Sequence, residues 1–198
     1  AIPQAGVIAV QGIRDKGKVQ PGQKVLINGG GGGAGTFSLQ LAKLAGAEVT
    51  GVDNASKLEF MRALGADHVI DYAAEDFTKN GKQYDLILDV IAHRSAYDYA
   101  RALSPGGSYY CVGGAVATLL QVLLLGPWLQ RTKGKKIRIL AVQPNQKDLA
   151  YVAELCAAGK VVPVIDRLYP LHEVPAALQY LGEGRAKGKV VITLDQSD

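Results

Sequence analysis

Cysteine is scarce in this chain. Of 198 residues only Cys111 and Cys156 are cysteines, and they have no C-x-x-C spacing. That excludes a thiolate zinc site and a disulfide-stapled scaffold. Cys111 lies in an apolar strand pattern and Cys156 in a helical one, so both are expected as buried thiols of a reducing compartment such as the cytoplasm. Histidine is equally sparse, with His68, His93 and His172 only, and no His/Cys/Glu set has metal-ligand spacing; no metal site is expected. Long apolar runs are missing too. Leu119 to Leu129 is the longest, but it holds Gln121, Gly126 and Pro127 and is too short to span a bilayer. Neither sign of charge dominates: the net charge is +4. The basic residues Arg131, Lys133, Lys135, Lys136 and Arg138 lack interleaved aromatics, which argues for a solvated loop and against a nucleic-acid partner. The opening residues are not expected to be a signal or transit peptide.

Glycine, by contrast, is abundant, and five glycines are consecutive, Gly29 to Gly33, followed by Gly35. The apolar run Val25-Leu26-Ile27 precedes them, and Phe37, Leu41 and Leu44 follow at helical spacing. Gly30, Gly32 and Gly35 therefore fit G-x-G-x-x-G between a strand and a helix, the context that gives the motif meaning. A pyrophosphate needs close approach to the unpaired N–H groups of a helix start, and side chains on the turn would block it. The backbone at Gly32, Gly33 and Ala34 is expected to hold that pyrophosphate, with Thr36 beside it.

Further along, residues 2–14 read as an apolar helix, Glu48 to Asp53 as a second strand, and Lys57 to Leu64 as a helix stopped by Gly65. His68 to Asp71 and Tyr84 to Asp89 read as strands three and four. Ser95 to Leu103 is a predicted helix, Ser108 to Val112 a strand, and Leu119 to Leu129 a helix or an irregular apolar excursion. Ile137 to Val142 is the sixth predicted strand and Lys147 to Ala158 a helix. Strands alternating with crossover helices pair in parallel, which predicts an α/β fold with a doubly wound six-stranded parallel sheet (Rossmann) over residues 1–160. After Gly159 the pattern changes to strand, helix and strand over 161–198, a C-terminal return that a six-stranded sheet does not need.

These stretches together resemble the medium-chain dehydrogenase/reductase superfamily, in its zinc-independent quinone oxidoreductase branch. The resemblance rests on Gln20-Pro-Gly-Gln-Lys-Val-Leu-Ile, Gln40-Leu-Ala-Lys, Leu64-Gly-Ala-Asp-His-Val-Ile-Asp-Tyr72, Ala102-Leu-Ser-Pro-Gly-Gly, Ala158-Gly-Lys-Val-Val-Pro-Val-Ile and Gly188-Lys-Val-Val-Ile, in that order. It implies an NAD(P)H-dependent oxidoreductase that reduces a quinone, enone or related carbonyl compound. Such relatives carry an N-terminal catalytic domain absent here, to which the segment 161–198 would return. Homodimers are common among them. A non-catalytic dinucleotide-binding or redox-sensing module is the alternative. A short-chain dehydrogenase is excluded, because no tyrosine has a lysine four residues on.

Asp53, eighteen residues past Gly35 at the end of the second strand, suits a carboxylate that accepts from the ribose hydroxyls of NADH. Lys57 and Tyr72 match positions that in relatives hold the 2′-phosphate of NADPH. The cofactor is therefore expected to be NADPH or NADH. Topology puts the nicotinamide end beyond the carboxyl ends of strands four to six, near Ile91, Val112, Gly113, Gly114 and Val142. The catalytic residues are not identifiable from this chain.

Overall fold

Each strand that pairs in parallel must first return across a face of the sheet, so strands and helices alternate. The computed structural model describes residues 2–194. The elements are α1 (Pro3–Val10), β1 (Lys24–Asn28), α2 (Gly33–Leu44), β2 (Glu48–Asp53), α3 (Leu58–Ala63), β3 (His68–Asp71) and β4 (Tyr84–Asp89). They continue through α4 (Ala96–Ala102), β5 (Leu103–Cys111), α5 (Val116–Lys133), β6 (Lys136–Ile139), α6 (Gln146–Ala157), β7 (Ile165–Pro170), α7 (Val174–Gly182) and β8 (Lys189–Thr193). The first six strands form one parallel sheet in the order β3-β2-β1-β4-β5-β6. Chain order reverses between β1 and β4, and outside the carboxyl ends of strands at such a reversal open α/β sheets carry their ligand crevice.

Alternate residues of each strand feed two cores. On one face α1, α2 and α6 cover Val25, Ile27, Val49, Leu86 and Leu88; on the other, α4 and α5 cover Leu26, Ile87, Tyr109 and Ile137. Helix α1 is buried on nearly every side, as its composition requires, and a side-chain carbon on Gly6 would sit 2.9 Å from Val152 of α6. Ser95 caps α4 in a reciprocal capping box with Asp98, worth about 1 kcal/mol.

Several boundaries differ from the sequence expectation. The first helix widens into a π-helical segment, Gln11–Lys16, where the Gln11 amide reaches across to Gln143 and Asp148. Strand β5 starts early, because Leu103 pairs with Tyr84 before Pro105-Gly106-Gly107 bulges out and pairing resumes at Ser108. Strand β6 ends at Ile139 and not at Val142, since the chain turns away after the Leu140 amide donates to Cys111 O. The apolar excursion is an 18-residue helix, α5, continuous through Pro127. Its Thr118, Val122, Gly126 and Leu129 are buried, while Val116, Leu120, Leu123, Leu124 and Trp128 are exposed.

The C-terminal strand-helix-strand unit forms its own two-stranded parallel sheet, β7-β8. Hydrogen bonds tie it to the main body at several points. The Gln40 side chain pairs both ways with Val162, donating to its carbonyl at 3.0 Å and accepting from its amide at 2.7 Å. The Gly188 amide donates to Gly31 O at 2.9 Å. Of the segment 161–198, residues 195–198 lie outside the described residues.

Candidate functional site

The glycine turn joins β1 to α2 with almost no side chain. Gly29 has φ 84°, a left-handed conformation that glycine adopts without strain. The amides of Gly29 and Gly30 both donate to Val52 O, at 2.9 and 3.0 Å, which stitches the turn to β2. Gly35 is demanded by packing: a side-chain carbon there would lie 2.0 Å from Gly29 O. The first bond of α2 runs from the Thr36 amide to Gly32 O, so the amides of Gly33, Ala34 and Gly35 precede the ladder. Such amides, at the positive end of the helix dipole, are suited to cradle an anion. Thr36 itself is buried, and its hydroxyl donates to Gly33 O at 3.2 Å, so it serves the helix start and not the cradle surface.

A cation completes this cradle. The space above Gly33 is taken by Lys189, whose Cε and Nζ lie 2.8 and 2.9 Å from where a side-chain carbon would stand. The ammonium therefore sits over the start of α2, and its partial burial lowers its pKa. Sequence reasoning missed this residue, although Gly188-Lys189 lies in a quoted stretch. The bridge between Gly32 and Gly188 and the bond from the Gly188 amide to Gly31 O reveal that β8 starts at the glycine turn.

Asp53, Lys57 and Tyr72 converge at the ends of β2 and β3. The Asp53 carboxylate is buried and accepts from the Gly31 amide at 2.9 Å and the Asn54 amide at 2.9 Å. Lys57 Nζ lies 3.3 Å from the same carboxylate, and its side chain lies over Gly31. Lys57 is thus neither a free helix cation nor extended into solvent. The Tyr72 amide donates to Asp53 O at 3.2 Å, and its ring is exposed.

At the other end of the crevice, Ile91 is exposed and lies against Gly29, 3.3 Å from its virtual side-chain position. Val112 and Gly113 follow β5, and Gly113 has open space above it, with Val90 O the nearest atom at 4.0 Å. Gly114 meets Ala92 in a bridge so close that a side-chain carbon would stand 2.0 Å from Ala92 O, which makes it a packing glycine. Val142, beyond β6, lines an apolar hollow of about 430 Å³ with Pro3, Val7 and Leu149. Its loop is fixed by Gln11, which donates to Gln143 O at 2.7 Å and accepts from the Gln143 amide at 3.0 Å. The structure therefore brings Ile91 against the turn, ties Val112 and Gly113 to Asp89 and Ala92 at the end of β4 and in the loop after it, and sets Val142 apart in the α1–α6 hollow. Among the described residues no three His, Cys, Asp or Glu side chains gather as metal ligands.

Comparisons with known proteins agree with this architecture. Residues 64–192 match the family described as zinc-binding dehydrogenase. The chain is 30% identical to the trans-enoyl reductase pgmF of Aspergillus terreus, over 99% of this chain and 58% of that protein. It is 33% identical to the human mitochondrial NAD(P)H oxidoreductase RTN4IP1, over 93% of this chain and 51% of that protein. Among solved structures, the quinone oxidoreductase of Coxiella burnetii superposes with a TM-score of 0.83 at 28% identity, covering 98% of this chain and 59% of that one. The chain spans about half the length of the curated relatives it matches. It belongs to the zinc-binding dehydrogenase family, within the medium-chain dehydrogenase/reductase superfamily.

Proposed function

We propose that this chain is the dinucleotide-binding part of an NAD(P)H-dependent oxidoreductase that reduces a quinone, enone or related conjugated carbonyl. The observation that carries the reading is the side-chain-free turn before α2 with the Lys189 ammonium above it. Free amides beside one cation match the chemistry of a pyrophosphate. The relatives named above, an enoyl reductase and an NAD(P)H oxidoreductase, support the reaction class.

In this reading Gly32, Gly33 and Ala34 offer backbone to the pyrophosphate and Lys189 neutralises it. Asp53 and Lys57 face the adenosine ribose, with Tyr72 at its edge. Ile91, Val112 and Gly113 border the nicotinamide half, and Gly114 holds that border in shape. Bound there, the nicotinamide supplies hydride to the β-carbon of a conjugated carbonyl or to a quinone. The protein's part is to bind and orient. Residues 161–198 form the return toward a catalytic domain. NADPH and NADH both remain in the proposal, because Asp53 and Lys57 neutralise each other. The exposed apolar face of α5 is the proposed surface for homodimer formation. A reducing compartment such as the cytoplasm suits Cys111, whose thiol burial pushes up to about 11 and so keeps protonated; one relative is mitochondrial.

Titration of the purified chain with NADH and NADPH, followed by oxidation of the reduced cofactor with a quinone or an enone, tests the reading. Binding without turnover by this chain is expected. Robust turnover by the chain alone would contradict the assignment of catalysis to another domain.

A further inference from the structure

Asp89, the last residue of β4, is completely buried, at 0% exposure, and serves no part of the cradle described above. Its three side-chain partners are all uncharged. One carboxylate oxygen accepts from Asn28 Nδ2 at 2.7 Å and from the Ile91 amide at 2.9 Å. The other accepts from the Tyr109 hydroxyl at 3.0 Å. Tyr109 in turn stacks on Tyr99, centroid to centroid 4.1 Å. The Tyr99 hydroxyl accepts from the amides of His93 and Arg94, each at 3.1 Å.

These bonds account for a whole loop. Between β4 and α4 the chain must turn sharply, and five successive amides, Val90 to Arg94, need acceptors. Val90 donates to Asn28 O at 3.1 Å and Ala92 to Gly113 O at 3.0 Å. Ile91 uses Asp89, and His93 and Arg94 share Tyr99. No repeating ladder exists there, so three of the five acceptor contacts are buried side-chain oxygens. A buried carboxylate without a cation is costly unless its lone pairs are filled. Here three donors fill them, and a hydrophobic residue at this strand end would leave the Ile91 amide without its acceptor.

We propose that Asp89, acting with Tyr99 and Tyr109, is a positioning residue that sets the loop 90–94 against the nicotinamide half of the bound dinucleotide. The inference rests on the dinucleotide reading above. Asp89 touches no cofactor itself; it fixes Ile91, the exposed side chain that lies against Gly29. The carboxylate does this by accepting from three donors at once, with Asn28 and the Ile91 amide on one oxygen that an amide carbonyl can replace.

The test separates loop placement from general stability. ADP contains the adenosine and both phosphates but lacks the nicotinamide half. Affinities for NADH, NADPH and ADP are measured by titration in wild type, Asp89→Ala, Asp89→Asn and Tyr99→Phe, with thermal melting of each. Tyr99→Phe keeps the stacked ring and the Asp89 carboxylate and removes the hydroxyl that accepts from His93 and Arg94, so it is expected to fold even where Asp89→Ala does not. The expected result is that Tyr99→Phe and any folded Asp89→Ala weaken the preferred dinucleotide roughly tenfold, the scale of one lost buried hydrogen bond. ADP affinity is expected to stay within about twofold, since the cradle is intact. Asp89→Asn, which still accepts from Ile91, is expected to recover most of the dinucleotide affinity. Equal losses for dinucleotide and ADP, or no loss in Tyr99→Phe, would overturn the proposal. If wild type binds ADP but gains nothing from the nicotinamide half, this inference fails alone. If wild type binds none of the three, the dinucleotide reading fails with it.

Discussion

The two ends of the crevice are built by opposite means. The glycine turn works by omission: side chains are missing, and the backbone of 29–35 comes close to β2, to its own helix and to Lys189. The loop after β4 works by insertion: oxygens from Asp89 and Tyr99 reach into a backbone that has no ladder of its own. At one end added atoms are the hazard, most of all at Gly35, and at the other end removed ones are. Substitutions at the two ends should therefore fail in different ways.

The largest effect is expected at Gly35. A side-chain carbon there meets backbone at 2.0 Å, and backbone cannot swing aside. Gly35→Val should cost about 3 kcal/mol or more of stability. Gly33→Val meets only the far end of Lys189, which moves, so it should fold nearly normally and lose affinity for the dinucleotide. Denaturant unfolding of both variants checks this, and equal destabilisation would break the distinction between a packing glycine and an approach glycine.

Next in size is the pair Asp53–Lys57. Removing one partner leaves the other poorly compensated, so Asp53→Ser should cost about 2 kcal/mol, less than a fully enclosed pair because Lys57 is long enough to swing to water. Asp53→Ser should also shift the affinity ratio toward NADPH, and Lys57→Ala toward NADH. Dissociation constants for both cofactors in the three proteins measure it. An unmoved ratio would mean that neither residue reads the ribose.

A third substitution sharpens the comparison from outside the crevice. Leu124, on the exposed face of α5, is 76% exposed, so Leu124→Lys should leave unfolding unchanged within about 0.5 kcal/mol. If that face joins two copies, light scattering should show wild type at twice the mass of the variant. A monomeric wild type would remove the homodimer from the proposal.

The smallest effect concerns Lys189. Burial lowers its pKa from 10.5, so its charge is present below that lowered value and is lost as pH rises through it. Dinucleotide affinity should then decline in the alkaline range before an ordinary lysine titrates. Lys189→Ala should bind about fivefold more weakly near neutrality, the scale of one partly exposed charge contact, and show no such decline. Parallel declines in both proteins would assign the titration elsewhere.

How much was legible in the sequence follows the same division. The glycine turn, β2, β3 and β4 lie within short contiguous stretches, and their boundaries could be read from apolar runs and breakers. Asp53 was found because it ends a strand at a set distance from the motif. Its bond to the Gly31 amide and its pairing with Lys57 depend on how the turn folds over it, and no local pattern encodes that. Asp89 was read as a strand end, yet its partners come from positions 28, 91 and 109. Val142 was placed on a strand because its neighbours are apolar; a side chain from the first helix, Gln11, holds that loop instead. Lys189 lies more than 150 residues from the glycine it covers. Long-range polar contacts of this kind leave no periodicity.

The most direct measurement is calorimetric titration of NADH and NADPH into the purified chain, with Gly33→Val as its partner. The structure predicts saturable binding of one dinucleotide per chain, weakened in Gly33→Val while the melting curve stays in place. A folded wild-type chain that takes up neither cofactor, or a Gly33→Val variant that binds as tightly as wild type, would contradict a phosphate cradle at the start of α2.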